Sequence, residues 1–175
     1  MGLGDWVANK ERLPFGIKGL ADRIEEMGMK FGLWFEPEMT NKDSDLYRAH
    51  PDWILHTPGR NASHGRYQYV LDFSRKEVVE YIYEMMAKIL SEAKVSYIKW
   101  DMNRSITECY SVALPADRQG EVFHRYILGV YDLYERLTSE FPEVLFESCS
   151  SGGGRFDPGM LYYAPQGWTS DDSDA

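Results

Sequence analysis

The stretch 95-VSYIKWDMNR-104 begins as an apolar and aromatic run and ends in charged and amide side chains. Side chains alternate across a strand, so Lys99, Asp101 and Asn103 fall on one face while Trp100 and Met102 fall on the other. A strand apolar on both sides until its carboxyl end is expected in a parallel sheet covered by helices, not in an antiparallel sheet with one wet face.

The flanking sequence repeats this arrangement. The segment 30-KFGLWFEPEM-39 is a short aromatic run stopped by Pro37, 66-RYQYVLDFS-74 reads as a second strand, and 142-PEVLFESCS-150 as a further one. A weaker strand is expected at 167-GWTSDD-172. Between them lie segments of helical period: Ile17, Leu20, Ala21, Ile24 and Met27, closed by Gly28; then Val78, Ile82, Met85, Met86 and Ile89; then Val122, Phe123, Tyr126, Ile127, Val130, Leu133, Tyr134 and Leu137. Ser74 and Glu77 have the spacing of a capping box for the second of these helices. About five parallel strands with flanking helices define an α/β fold. No GxGxxG or GK[ST] follows any strand, so a (β/α)8 barrel is preferred to a doubly wound nucleotide-binding sheet. A whole barrel takes about 250 residues; this chain of 175 is expected to be a partial (β/α)8 catalytic domain, residues 1–175, truncated at both ends.

A net charge of −9 with no basic stripe argues against nucleic acid or an anionic membrane as partner. No stretch has a signal-peptide pattern or the length of a membrane span, so a cytoplasmic setting is the expectation. Cys109 and Cys149 lack metal-ligand spacing and are read most simply as free thiols, with a single bridge between them as the alternative, and the four histidines show no HExxH pattern.

Function in parallel α/β folds gathers at the carboxyl ends of strands. Glu36, Glu38, Asp72, Asp101, Asn103, Glu147, Asp171 and Asp172 all fall there. Lys99 beside Asp101 is expected to keep that carboxylate ionised, as a nucleophile requires. In 168-WTSDDSDA-175, crowding of Asp171, Asp172 and Asp174 favours a carboxyl that retains its proton and can act as general acid. A solvated acidic loop or an oxygen-rich cation site would share that composition. One ionised and one protonated carboxyl across a barrel mouth is the arrangement of a glycosidase. Trp34 and Trp168 offer surfaces for stacking on a sugar, and Gly152, Gly153 and Gly154 allow backbone to approach a ligand closely.

Taken in order, GLWFEPEM, HPDW, VLDFSR, YIKWDMNR, FESCSSGGGRFD and WTSDDSDA resemble the bacterial α-galactosidases of glycoside hydrolase family 36. The resemblance implies retaining hydrolysis of terminal α-linked galactose from melibiose- and raffinose-type oligosaccharides, with no cofactor and no metal. It matches Asp101 to the nucleophile and Asp171 to the acid/base, with Asp172 as fallback. It places Trp34, Arg66, Lys99, Asn103, Cys149, Gly152, Trp168 and Asp172 around the sugar. The family's pair of acidic residues on an earlier strand has no counterpart before Trp34. Also unmatched are the family's N-terminal β-sandwich, first two barrel strands, eighth strand and C-terminal β-domain. The resemblance further suggests a homo-oligomer for the full-length protein, while the unpaired strand edges and exposed apolar surface of an incomplete barrel predict self-association. An α-N-acetylgalactosaminidase, a galactosyltransferase and a non-catalytic sugar-binding piece are the competing readings.

Overall fold

A computed structural model describes residues 2–172. The chain enters over an N-terminal segment into α1 (Gly16–Glu26), followed by β1 (Gly32–Phe35) and the short β2 (Met39–Thr40). Next come α2 (Asp45–Ala49), a single 3-10 turn at Pro51–Trp53, β3 (Tyr69–Val70) and α3 (Lys76–Glu92). The remainder is β4 (Tyr97–Trp100), a 3-10 segment at Ala116–Glu121, α4 (Val122–Glu140), β5 (Leu145–Ser148), α5 (Pro158–Tyr163) and β6 (Gln166–Gly167).

Four strands form one sheet in the order β1-β4-β5-β6, and every pairing within it is parallel. The α/β class expected from the sequence is therefore found, but the second expected strand is not part of this sheet. Tyr69 and Val70 pair antiparallel with Met39 and Thr40 as a separate two-stranded ribbon beyond the end of β1. The parallel strands number four among the described residues, not five.

One sheet face carries Phe35, Ile98, Trp100 and Phe146, all buried in the core cluster to which α3 and α4 contribute. Those helices supply Val78, Ile82 and Met86, then Val122, Tyr126, Val130, Leu133, Tyr134 and Leu137, close to the periodicity of the sequence; Phe123 instead points outward at 52% exposure. The Trp100 indole stacks on Tyr134 with ring centroids 4.0 Å apart. Each fully buried side chain of this size contributes about 1.5–3 kcal/mol, so this layer is the main source of stability.

The capping box at the start of α3 does not form. Arg75 is the N-cap residue and gives no side-chain cap; Ser74 instead turns back to the Asp72 carboxylate through both its backbone N–H and its hydroxyl. At the N-terminus, Asp5 accepts from the backbone N–H groups of Asp45 and Leu46 at 2.9 and 3.0 Å, and so fastens the leading segment to α2.

Candidate active site

The parallel register arranges the second face of the sheet in rows. Trp34, Lys99, Glu147 and Gln166 are directly paired across β1, β4, β5 and β6. Two residues further along each chain, where the strands end, stand Glu36, Asp101, Cys149 and Trp168; period-2 alternation keeps them on the same face. Ladder hydrogen bonds from Asp101, Cys149 and Trp168 N–H to the preceding strand's carbonyls carry the register to that level. A core face rich in polar groups thus becomes two layers of side chains at the carboxyl end of a parallel sheet.

Asp101 is 6% exposed. Its Oδ2 accepts from the Trp34 indole Nε1 at 3.0 Å and the Asn103 side-chain amide at 2.7 Å, and its Oδ1 from the Met102 backbone N–H at 2.9 Å. Burial pushes its pKa up, but donors from Trp34, Asn103, Cys149 and the Met102 N–H outweigh burial and hold the carboxyl below its usual range. Lys99 does not pair with Asp101, contrary to expectation. Its ammonium lies 3.5 Å from Glu147 Oε1 and 3.8 Å above the Trp168 ring. The reason is lateral register: Glu147 is the direct cross-strand neighbour of Lys99, whereas Asp101 is one row higher.

Glu36 is 1% exposed and takes the Asn103 backbone N–H at 2.7 Å and the Gln68 amide at 2.6 Å. Burial, reinforced by the charge of Asp101, raises its pKa despite those donors. Gln68 ends a tight turn in which Gly65 and Gln68 exchange both backbone hydrogen bonds, at 2.8 and 3.3 Å. The two central residues, Arg66 and Tyr67, have φ of 54° and 61°, the type I′ geometry normally taken by Asn-Gly. Holding side-chain-bearing residues there costs on the order of 1–3 kcal/mol each, a strain characteristic of functional sites. The turn projects Arg66 onto a cleft of about 940 Å³ shared with Trp6, Trp34, Glu36 and Gln68. Leu33 and Phe35 also line it, so the cleft wraps the outer edge of β1. Asp101 stands behind Trp34, not on the cleft wall.

On the other side, Trp168 donates its indole N–H to Asp171 Oδ1 at 3.0 Å. Asp172 is exposed, and its backbone N–H bonds to Ser170 Oγ at 3.0 Å; Asp174 lies outside the described residues. Cys149 is buried and Cys109 exposed, both as free thiols. Gly152, with φ of 85°, packs so closely on the 169–171 segment that a Cβ would lie 2.9 Å from the Ser170 Cα. The structure therefore gathers Trp34, Lys99, Asp101, Asn103, Cys149, Gly152, Trp168 and Asp171 at neighbouring strand ends, with Arg66 and Asp172 at the rim.

The motifs of the sequence do not specify the contacts of Glu147 and Trp6. Parity was the available signal for Glu147, which is two residues before Cys149 and so shares its face. Trp6 packs on Phe35 and Trp34 at centroid distances of 4.9 and 6.1 Å, a contact with no local pattern to announce it.

A family model described as Melibiase matches residues 1–175. α-Galactosidase AgaA of Geobacillus stearothermophilus is 58% identical over 173 residues, which are 99% of this chain and 24% of that protein. α-Galactosidase Mel36A of Lactobacillus acidophilus is 55% identical with the same coverage. The crystal structure of AgaA, a family 36 enzyme, superimposes with a TM-score of 0.96 at 57% identity, covering 98% of this chain and 24% of that one. A variant of AgaA in complex with raffinose gives a TM-score of 0.96 at 57% identity, covering 99% and 24%. The chain thus spans 24% of the length of these relatives.

Proposed function

Because the chain belongs to the melibiase family, we propose that it is the part of a retaining α-galactosidase that carries the reacting carboxylates, its four parallel strands being consecutive staves of a (β/α)8 barrel. The observation that carries this reading is Asp101, a buried carboxylate held ionised by neutral donors at the end of β4. Asp171 follows β6, two strands away, and neighbouring strands are about 4.8 Å apart. Side chains leaning inward from that backbone separation can approach the roughly 5–5.5 Å at which one carboxyl attacks and the other transfers a proton.

In this reading Asp101 attacks the anomeric carbon of a terminal α-galactosyl unit while Asp171 protonates the departing glycosidic oxygen. A galactosyl ester on Asp101 results. Water, deprotonated by Asp171, then attacks the same carbon, releases galactose and restores both carboxyls. Trp34 and Asn103 hold Asp101 in its attacking orientation, while Lys99, Arg66, Cys149, Gly152, Trp168 and Asp172 border the sugar. Raffinose-type oligosaccharides are the substrates this assignment favours, by analogy with the raffinose complex of the relative. Among the described residues the outer edges of β1 and β6 pair with no further strand of this sheet, and unpaired parallel edges with apolar flanks tend to associate.

The test is hydrolysis of an aryl α-galactoside by the full-length polypeptide containing residues 1–175 and by its Asp101→Ala variant. The variant is expected to lose turnover by orders of magnitude, and added azide to restore it with formation of a β-galactosyl azide. Turnover like that of the unmodified protein would remove Asp101 from the role of nucleophile.

A further inference from the structure

Behind the catalytic row, on the helix side of the sheet, lies a buried charged group with no part in the chemistry just described. Glu38, fully buried, receives both terminal nitrogens of Arg155 at 2.8 Å, the Trp100 indole N–H at 2.8 Å and the Tyr126 hydroxyl. Arg155 also touches Met102 Sδ at 3.2 Å. A largely enclosed arginine, 12% exposed at its side chain, with a bidentate carboxylate has a fixed position and orientation. Loss of either partner strands a charge in the core.

Arg155 belongs to the glycine loop after β5, and that loop is the support of the 169–171 segment. Gly153 N–H donates to Thr169 O at 3.0 Å, Gly152 abuts Ser170 and the Asp171 backbone N, and the Phe156 ring packs on Gly167 of β6. Asp101 has its own donors in Trp34, Asn103 and the Met102 N–H. The donor seen at the Asp171 carboxylate among the described residues is Trp168, three residues back on the same segment. The placement of Asp171 therefore depends on the loop, and the loop is anchored to the core through Arg155.

We infer that Arg155, clamped by Glu38, is a positioning residue for proton transfer: it seats the Gly152–Gly154 loop and so sets the reach of Asp171 toward the leaving oxygen. This rests on the assignment of Asp171 as acid/base. Its signature is selective. A misplaced general acid slows departure of a poor leaving group, which needs the proton, far more than departure of a good one, which does not.

The full-length polypeptide is assayed with raffinose and with 2,4-dinitrophenyl α-galactoside. Asp171→Asn serves as reference, and Gly129→Ala, remote from the site, as a control for general loosening. Arg155→Lys and Glu38→Gln are expected to lose about 10- to 100-fold in kcat/KM on raffinose, within the span attributed to general acid catalysis. On the activated galactoside the loss should be no more than about threefold, as befits a leaving group that needs little protonation. Equal losses on both substrates, the pattern expected of Gly129→Ala, would overturn the inference, as would no loss on either. Failure of both variants to fold also counts against it, since the pair would then serve the whole fold and not the Asp171 segment. If Asp171→Asn itself loses both substrates equally, the acid/base assignment falls and this inference with it. A selective loss in Asp171→Asn without one in Arg155→Lys overturns the inference alone.

Discussion

The Trp34 indole and the Asn103 amide converge on one oxygen of Asp101, so the two donors share the work of opposing burial. Trp34→Phe keeps the ring and deletes the N–H. With one fewer donor to the anion, the Asp101 pKa rises, and the acidic limb of kcat/KM against pH moves to higher pH. An acidic limb left in place would show that Trp34 serves only as a stacking surface. The strand-end position of Asp101 was legible from alternation and apolar run length alone. The origin of its low pKa was not, because a sequence shows Lys99 two residues away and cannot show that Glu147, 48 positions further along the chain, sits directly across from it in register.

Among the elements, α4 crosses α3 and the Phe73 backbone at Gly129, where an added Cβ would lie 2.0 Å from the Phe73 carbonyl oxygen. Two effects oppose each other in Gly129→Ala. Helix propensity favours alanine by about 1 kcal/mol, while forcing a methyl group into a packed contact costs roughly 1–3 kcal/mol. The obstacle is backbone and cannot rotate away, so the clash wins, and denaturant melts are expected to show a loss of up to about 2 kcal/mol; a gain in stability would overturn this. The long helices were legible because their buried stripes repeat in α3 and α4 with little interruption. β3 was not: two residues, Tyr69 and Val70, carry no signal of pairing direction, and their antiparallel partner is fixed by how the chain turns after Pro37. Ser74 shows the same limit, because the Asp72 carboxylate competes for it before a cap can form.

At the scale of the molecule, Glu38 makes folding depend on pH. Burial raises its pKa, but the charge and hydrogen bonds of Arg155, with Tyr126 and Trp100, bring it below the usual glutamate value. A depressed carboxyl contributes stability above its unfolded pKa of about 4.3 and loses it as pH falls through the folded value. Glu36, with a raised pKa, acts in the opposite sense, its contribution being full below the unfolded value and lost as pH rises through the folded one. Denaturation followed from pH 7 to pH 3 is therefore expected to show a steep acid limb that flattens in Glu38→Gln, which at pH 7 is destabilised by about 3 kcal/mol because Arg155 is left without its counter-charge. An equally steep limb in the variant would place the acid sensitivity elsewhere. The α/β class and the strand-end cluster were readable from one end of the chain to the other, whereas this ion pair joins positions 38 and 155 and leaves no local trace.

The two thiols give the molecule a clock. Cys109 is exposed, whereas Cys149 is buried with its sulfhydryl turned to Asp101, and burial and that neighbouring charge both push the Cys149 pKa up. A small alkylating reagent therefore meets Cys109 in the closed protein, but reaches Cys149 only in the fraction of time that the β4 and β5 strand ends part. The ratio of the two labelling rates, corrected for thiolate content, reads out the free energy of that parting. Any contact that holds those strand ends together slows one hand of the clock and leaves the other running.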